Sequence, residues 1–127
     1  MFPSDAKSAN IQTILPPANY ANNVTASNGT WVDTRGMVGS LLFVQQAGVA
    51  GANLTGSLVT SANNNGAGNA AMAFDDGSNT FTATAGNATE AKTVDVNASK
   101  GYVKYVVACA GAINLGVVML GRPKQSA

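Results

Sequence analysis

The chain has 127 residues, of which 10% are charged, with a net charge of +1 and no histidine. A typical soluble domain is about 25% charged, so this surface is solvated by Asn, Thr, Ser and Gly, and densely packed copies repel one another little. Lys100, Lys104, Arg122 and Lys124 are too few to form the basic stripe that displaces phosphate counterions, which argues against a nucleic-acid partner.

In chain order, residues 1–30 read as an extended N-terminal arm and 31–127 as the domain proper. The arm carries Pro3, Pro16-Pro17 and the run Asn19-Tyr20-Ala21-Asn22-Asn23. The Pro-Pro pair forbids regular helix and favours an extended path. Ile11, Ile14 and Leu15 are its only apolar anchors. The start, Met1-Phe2-Pro3-Ser4-Asp5-Ala6-Lys7, lacks the basic residues and apolar stretch of a signal peptide, so use without secretion is expected.

From residue 31 the pattern has period two, the mark of half-buried strands. Val38 to Gln46 is apolar on both faces and reads as a central strand. Leu54 to Thr60 pairs Leu54 with Leu58 on one side, and Asn69 to Phe74 groups Ala70, Met72 and Phe74. Thr80 to Ala85 sets Phe81, Ala83 and Ala85 opposite three threonines, and Lys92 to Asn97 sets Val94 and Val96 apart from Thr93, Asp95 and Asn97. Tyr102 to Cys109 and Ile113 to Met119 alternate likewise. Gly- and Asn-rich runs at 47–51, 63–68, 75–79, 85–87 and 110–112 supply turns. The apolar stretch 106–120 falls short of the ~20 residues of a membrane-spanning helix, so a hairpin of two buried strands is expected and no membrane partner. About eight strands without a helix predict an all-β antiparallel sandwich, jelly-roll-like.

Chemistry is sparse. The missing histidine removes the commonest general base and metal ligand. The six acids are Asp5, Asp33, Asp75, Asp76, Glu90 and Asp95. Asp75-Asp76 sits in turn chemistry that caps backbone amides and lacks the spacing of a calcium loop. Cys109 stands in an apolar run and reads as a buried, inert thiol. No catalytic group, cofactor or metal is expected.

Three segments carry a resemblance. Trp31-Val32-Asp33-Thr34-Arg35-Gly36 leads into the strand Val38 to Val44. Lys100 to Val107 forms a late strand containing Lys104-Tyr105-Val106, and the last strand ends in Leu120-Gly121-Arg122-Pro123-Lys124. Together, over about residues 31–124, they resemble the capsid decoration (cement) proteins of tailed bacteriophages. Those have an Asp-Thr-x-Gly lead into the first long strand and commonly Arg-Tyr-Val in a late one, where this chain has Lys-Tyr-Val.

The resemblance implies a jelly-roll-like virion protein on the capsid exterior, assembled in the host cytoplasm, often trimeric, whose partners are the major capsid protein and itself. The expected capsid contacts are Phe2, Ile11, Ile14, Leu15 and Tyr20, with Arg122 and Lys124 as a second contact. Trp31, Asp33 and Arg35 are expected at a domain edge or subunit seam. The competing readings are a glycan- or receptor-binding head fibre or adhesin using Trp31, Tyr20 or Tyr102, and a tail or connector component.

Overall fold

The structure, a computed structural model, describes residues 10–20, 31–50, 54–81, 87–109 and 111–123. Among them are eight strands: β1 (Asn10–Tyr20), β2 (Val32–Asp33), β3 (Met37–Ala50), β4 (Leu54–Ser61), β5 (Ala70–Met72), β6 (Ala88–Asp95), β7 (Tyr102–Cys109) and β8 (Ile113–Pro123). A short 3-10 turn, Val96–Ala98, follows β6. The first sheet has the order β1-β8-β3-β6 and the second β2-β7-β4-β5.

The pairings nest. The first strand pairs with the last, the second with the seventh, the third with the sixth and the fourth with the fifth, all antiparallel. That is one long hairpin. Pairing of β3 with β8 and of β4 with β7 follows from rolling this hairpin on itself. Eight antiparallel strands rolled into two facing sheets make a jelly roll, as the period-two pattern predicts.

Alternation fills the interior. Leu41, Phe43, Val94, Val117 and Met119 point inward from the first sheet, and Leu54, Leu58, Val103, Tyr105 and Val107 from the second, all essentially inaccessible to solvent. Each such apolar side chain contributes roughly 1.5–3 kcal/mol by leaving water. Phe74 and Phe81 close one side of the sandwich. Their rings meet edge to face at 4.9 Å, and Phe81 meets Tyr105 at 6.0 Å.

Four details depart from the sequence reading. Over residues 10–20 the expected arm is an integral strand paired with β8, so the sandwich begins before residue 31. Glycine-containing 47–50 continues β3 where a turn was expected. Thr80 makes only an isolated bridge to Ser57, while 82–86, the rest of the expected strand, lies outside the described residues. The stretch 106–120 contributes to two strands in different sheets and not to a hairpin.

Candidate interaction face

A sheet of a two-layer sandwich normally turns polar residues outward. The first sheet does so at its ends, but the middle of its outer face is largely apolar. Its strand register aligns Ile11, Leu120, Leu42 and Thr93 in one outward row, and Thr13, Val118, Val44 and Ala91 in the next. Ile11 is 64% exposed and Val38, at the end of the face, 38%. Leu42, Val44, Val118 and Leu120 are half-buried by one another. Beyond them lie Gly116, Gln46 and Thr89, then Asn19 and Asn114, whose amides hydrogen-bond at 2.8 Å. Charge enters at one end, where Arg122 pairs with Val38 and Asp95 with Ser40, and at the β6 edge, where the Asp75 carboxylate accepts from Thr93 Oγ1. In the second sheet, by contrast, Lys104 occupies an outward position beside Val59, with its ammonium 5.6 Å from the Trp31 ring.

The sheet edges are blunted against strand addition over part of their length. On β1 the ladder slips between Thr13 and Leu15 and again between Leu15 and Ala18, around Pro16-Pro17. On β6 the segment after β5 lies across the edge: Asp75 N donates to Thr93 O at 3.0 Å, and the Asp75 carboxylate accepts from Thr93 Oγ1 at 2.8 Å and Asp95 N at 3.1 Å. The edges of the second sheet are β2 and β5, of two and three residues.

Behind that edge sits an ionic cluster. The Lys92 side chain is 7% exposed and its ammonium reaches Asp76 Oδ2 at 2.7 Å and Glu90 at 3.9 Å. It also donates to Ser78 Oγ at 2.8 Å and lies 5.0 Å from the Phe74 ring. The bond from Lys92, helped by those from Ser78, holds the Asp76 carboxyl well below the usual carboxylate range. Asp75 and Asp76 are thus engaged in turn and edge contacts.

The expected contact residues scatter. Phe2 and Lys124 lie outside the described residues. Ile11 is on the outer face, but Ile14 and Leu15 are completely buried. They fill the core because the bulge after Thr13 turns two successive side chains inward, so neither can touch a capsid. Tyr20 packs partly on the core and its hydroxyl donates to Pro16 O. Arg122 is exposed at the charged end of the face.

Asp33 and Arg35 form one unit in the turn after β2. Arg35 N and Nε donate to Asp33 Oδ1 at 2.9 and 3.0 Å, and Arg35 Nη2 to Oδ2 at 2.8 Å. The side-chain bonds from Arg35 lower the Asp33 pKa to about 2. The guanidinium also stacks 4.9 Å above Tyr102.

Trp31 is half-buried outside the core and covers the loop 62–69. Gly66 has φ +81° there, and a Cβ would fall 2.7 Å from the indole. The rings of Trp31 and Tyr102 are therefore already engaged, by a cation in each case. Side chain Cys109 lies outside those described.

An open cleft of about 600 Å³ separates the 34–39 segment from 95–101. Its polar walls are spent internally: Thr34 Oγ1 lies 2.7 Å from Ser99 Oγ, and Asp95 accepts from Asn97 N at 2.9 Å.

The outer face escaped the sequence reading, although the signal was there. The doubly apolar run Val38 to Gln46 does mark a central strand, between β8 and β6. Its second apolar side points outward.

No family model and no curated protein matches the sequence. Among solved structures the chain is similar to the SPBc2 prophage-derived protein YomS, at 11% identity and a TM-score of 0.52, over 89% of this chain and 93% of that one. A weaker likeness is to the structure of infectious bursal disease virus Gx strain, at 8% identity and a TM-score of 0.40. It covers 88% of this chain, which spans only 30% of the viral one. At such identities the likeness to the prophage-derived protein shows a shared fold.

Proposed function

We propose that this chain is a structural protein of a virion, a decoration protein that sits on the outside of a tailed-phage capsid and ties major capsid proteins together. The observation that carries the reading is an outward sheet face whose central rows are largely apolar, on a sandwich whose edge strands are blunted by bulges, prolines and short length. Such a molecule favours association through its face over growth by edge pairing into fibres, as suits a shell component. The charge-poor surface suits deployment in many copies, where weak contacts sum to strong attachment. The likeness to a prophage-derived protein over nearly its whole length supports the phage setting. In this reading the role is structural and not catalytic.

The test is quantitative mass spectrometry of particles purified from cells carrying the gene. Hundreds of copies per particle, in fixed ratio to the major capsid protein, are expected. A handful of copies would assign the chain to a tail, connector or fibre, and absence from particles would end the virion reading.

A further inference from the structure

We propose that Lys92 and Asp76 condense within the folded chain to an isopeptide bond, with Glu90 as the proton carrier. The inference is independent of the virion reading and gives the ionic cluster behind the β6 edge a chemical task.

The fold brings the reactants together. Alternation on β6 turns Glu90, Lys92 and Val94 towards the inside of the sandwich. Lys92 Nζ, the nucleophile, lies 2.7 Å from Asp76 Oδ2, and its side chain is 7% exposed. The buried Phe74 ring stands 5.0 Å from it, so water has little access to the nitrogen. The turn that carries Asp76 is fixed, Phe74 N donating to Ser78 O at 2.8 Å and Gly77 N to Phe74 O at 2.9 Å. The second carboxylate oxygen, Oδ1, accepts from Ser78 N at 2.8 Å and from Ser78 Oγ at 2.6 Å. These two donors polarise the carbonyl and meet the negative charge that develops on Oδ1 as nitrogen adds. Glu90 Oε2 is 3.9 Å from the same nitrogen, and its side chain is 14% exposed.

The step balances without any outside reagent. The pair starts as ammonium and carboxylate. One Nζ proton passes along the 2.7 Å contact to Oδ2, leaving an amine beside a carboxylic acid. Nitrogen adds to Asp76 Cγ, and Oδ1 becomes an oxyanion between the Ser78 donors. Glu90 takes a proton from the nitrogen and returns it to the Oδ2 hydroxyl, which departs as water. An N–C bond forms, a C–O bond breaks, nothing is oxidised or reduced, and Glu90 ends as it began. The hydrogen bonds that keep Asp76 ionised favour the starting state and make the reaction slow. Proximity opposes them, because groups held in contact react at effective concentrations of about 10⁵ M and above. Release of water and removal of the ammonium from a nearly inaccessible site favour the amide.

The experiment is denaturing intact-mass spectrometry of the full purified chain, followed by trypsin digestion. The wild type is expected to be lighter than its sequence by one water. Trypsin should fail to cut after the acylated Lys92 and should release residues 36–100, from Arg35 to Lys100, as one peptide lacking one water. Lys92→Arg and Asp76→Ala should keep their full sequence masses. Glu90→Gln, with circular dichroism to confirm its fold, should lose water about a hundredfold more slowly.

A wild type that keeps its full mass after long incubation would overturn the proposal, whatever the variants do. Loss of water with normal cleavage after Lys92 would overturn it too, since ring closure at Asp76-Gly77 to a succinimide gives the same mass. A folded Glu90→Gln that condenses at the wild-type rate would remove Glu90 from the step.

Discussion

Tyr105 and Gln45 meet between the two sheets, the phenol hydroxyl of β7 donating to the amide oxygen of β3. Both are buried, and Gln45 Nε2 finds no acceptor among the described residues. Gly56 makes room for the pair, since a Cβ there would collide with both polar tips. Tyr105→Phe alone orphans the Gln45 oxygen as well and should cost about 1–3 kcal/mol. The double variant Tyr105→Phe/Gln45→Met removes both partners and should recover most of that loss. Gly56→Ala should cost about 1–3 kcal/mol by overpacking. Urea unfolding of the wild type, Tyr105→Phe, Gln45→Met, the double variant and Gly56→Ala checks the set, and additive losses from the two single variants of the pair would refute the coupling.

The same burial raises the Tyr105 pKa, with the Glu90 carboxylate adding to the effect. The folded state therefore keeps a proton that the unfolded chain releases near pH ~10. The resulting stability is fully present below that pH and declines as pH rises above it. Tyrosinate absorbance should show one step that coincides with loss of near-ultraviolet dichroism. Tyr105→Phe should lack it.

Because Leu15 is buried on an edge strand, Leu15→Ala should cost about 2–5 kcal/mol. Deletion of residues 1–20 should do worse, since it strips Ile14 and Leu15 from the core and uncovers one edge of β8. The expected outcome is an unfolded or aggregated chain by dichroism and light scattering. A folded, soluble truncation would show that β1 is dispensable.

Asp33 should remain ionised until pH falls to about 2 in the folded protein. A carboxyl depressed in this way adds stability above its unfolded pKa of ~3.9 and loses it as pH falls through the folded value. The pair is solvent-exposed, with side chains 64% and 48% accessible, so its share of total stability is small. Carboxyl carbon shifts by NMR test the titration itself. Arg35→Met should return Asp33 towards the ordinary aspartate range with little change in Tm.

The strands legible from the residues were those with clean alternation. Leu54 to Thr60, Tyr102 to Cys109 and Ile113 to Met119 each run along one sheet with one side buried. β1 was hidden because its two bulges break the period: Ile14 and Leu15 are adjacent yet both face inward. Pro16-Pro17 and the asparagines disguised it further as a free leader. The sheet assignment of β7 and β8 was likewise out of reach, since a short Gly-containing link serves a hairpin and a crossing between sheets equally well. The interaction face needed the register. Leu42, Val44, Val118 and Leu120 are scattered in sequence, and only the pairing of β3 with β8 makes them one surface.

The nested pairing has a consequence for how the chain is made. During synthesis β1 leaves the ribosome before the other strands of the sandwich, yet its partner β8 leaves after them. Only β4 and β5 at the centre of the nest, closely spaced along the chain, can pair early. Distant pairings must meet loop-closure entropy before they gain contacts, which makes such folding slow. The buried side chains of β1 therefore wait unpaired until β8 has been made. A nascent chain halted before residue 113 has no β8 for β1 to pair with, which leaves Ile14 and Leu15 without that support and prone to draw the chain into aggregation.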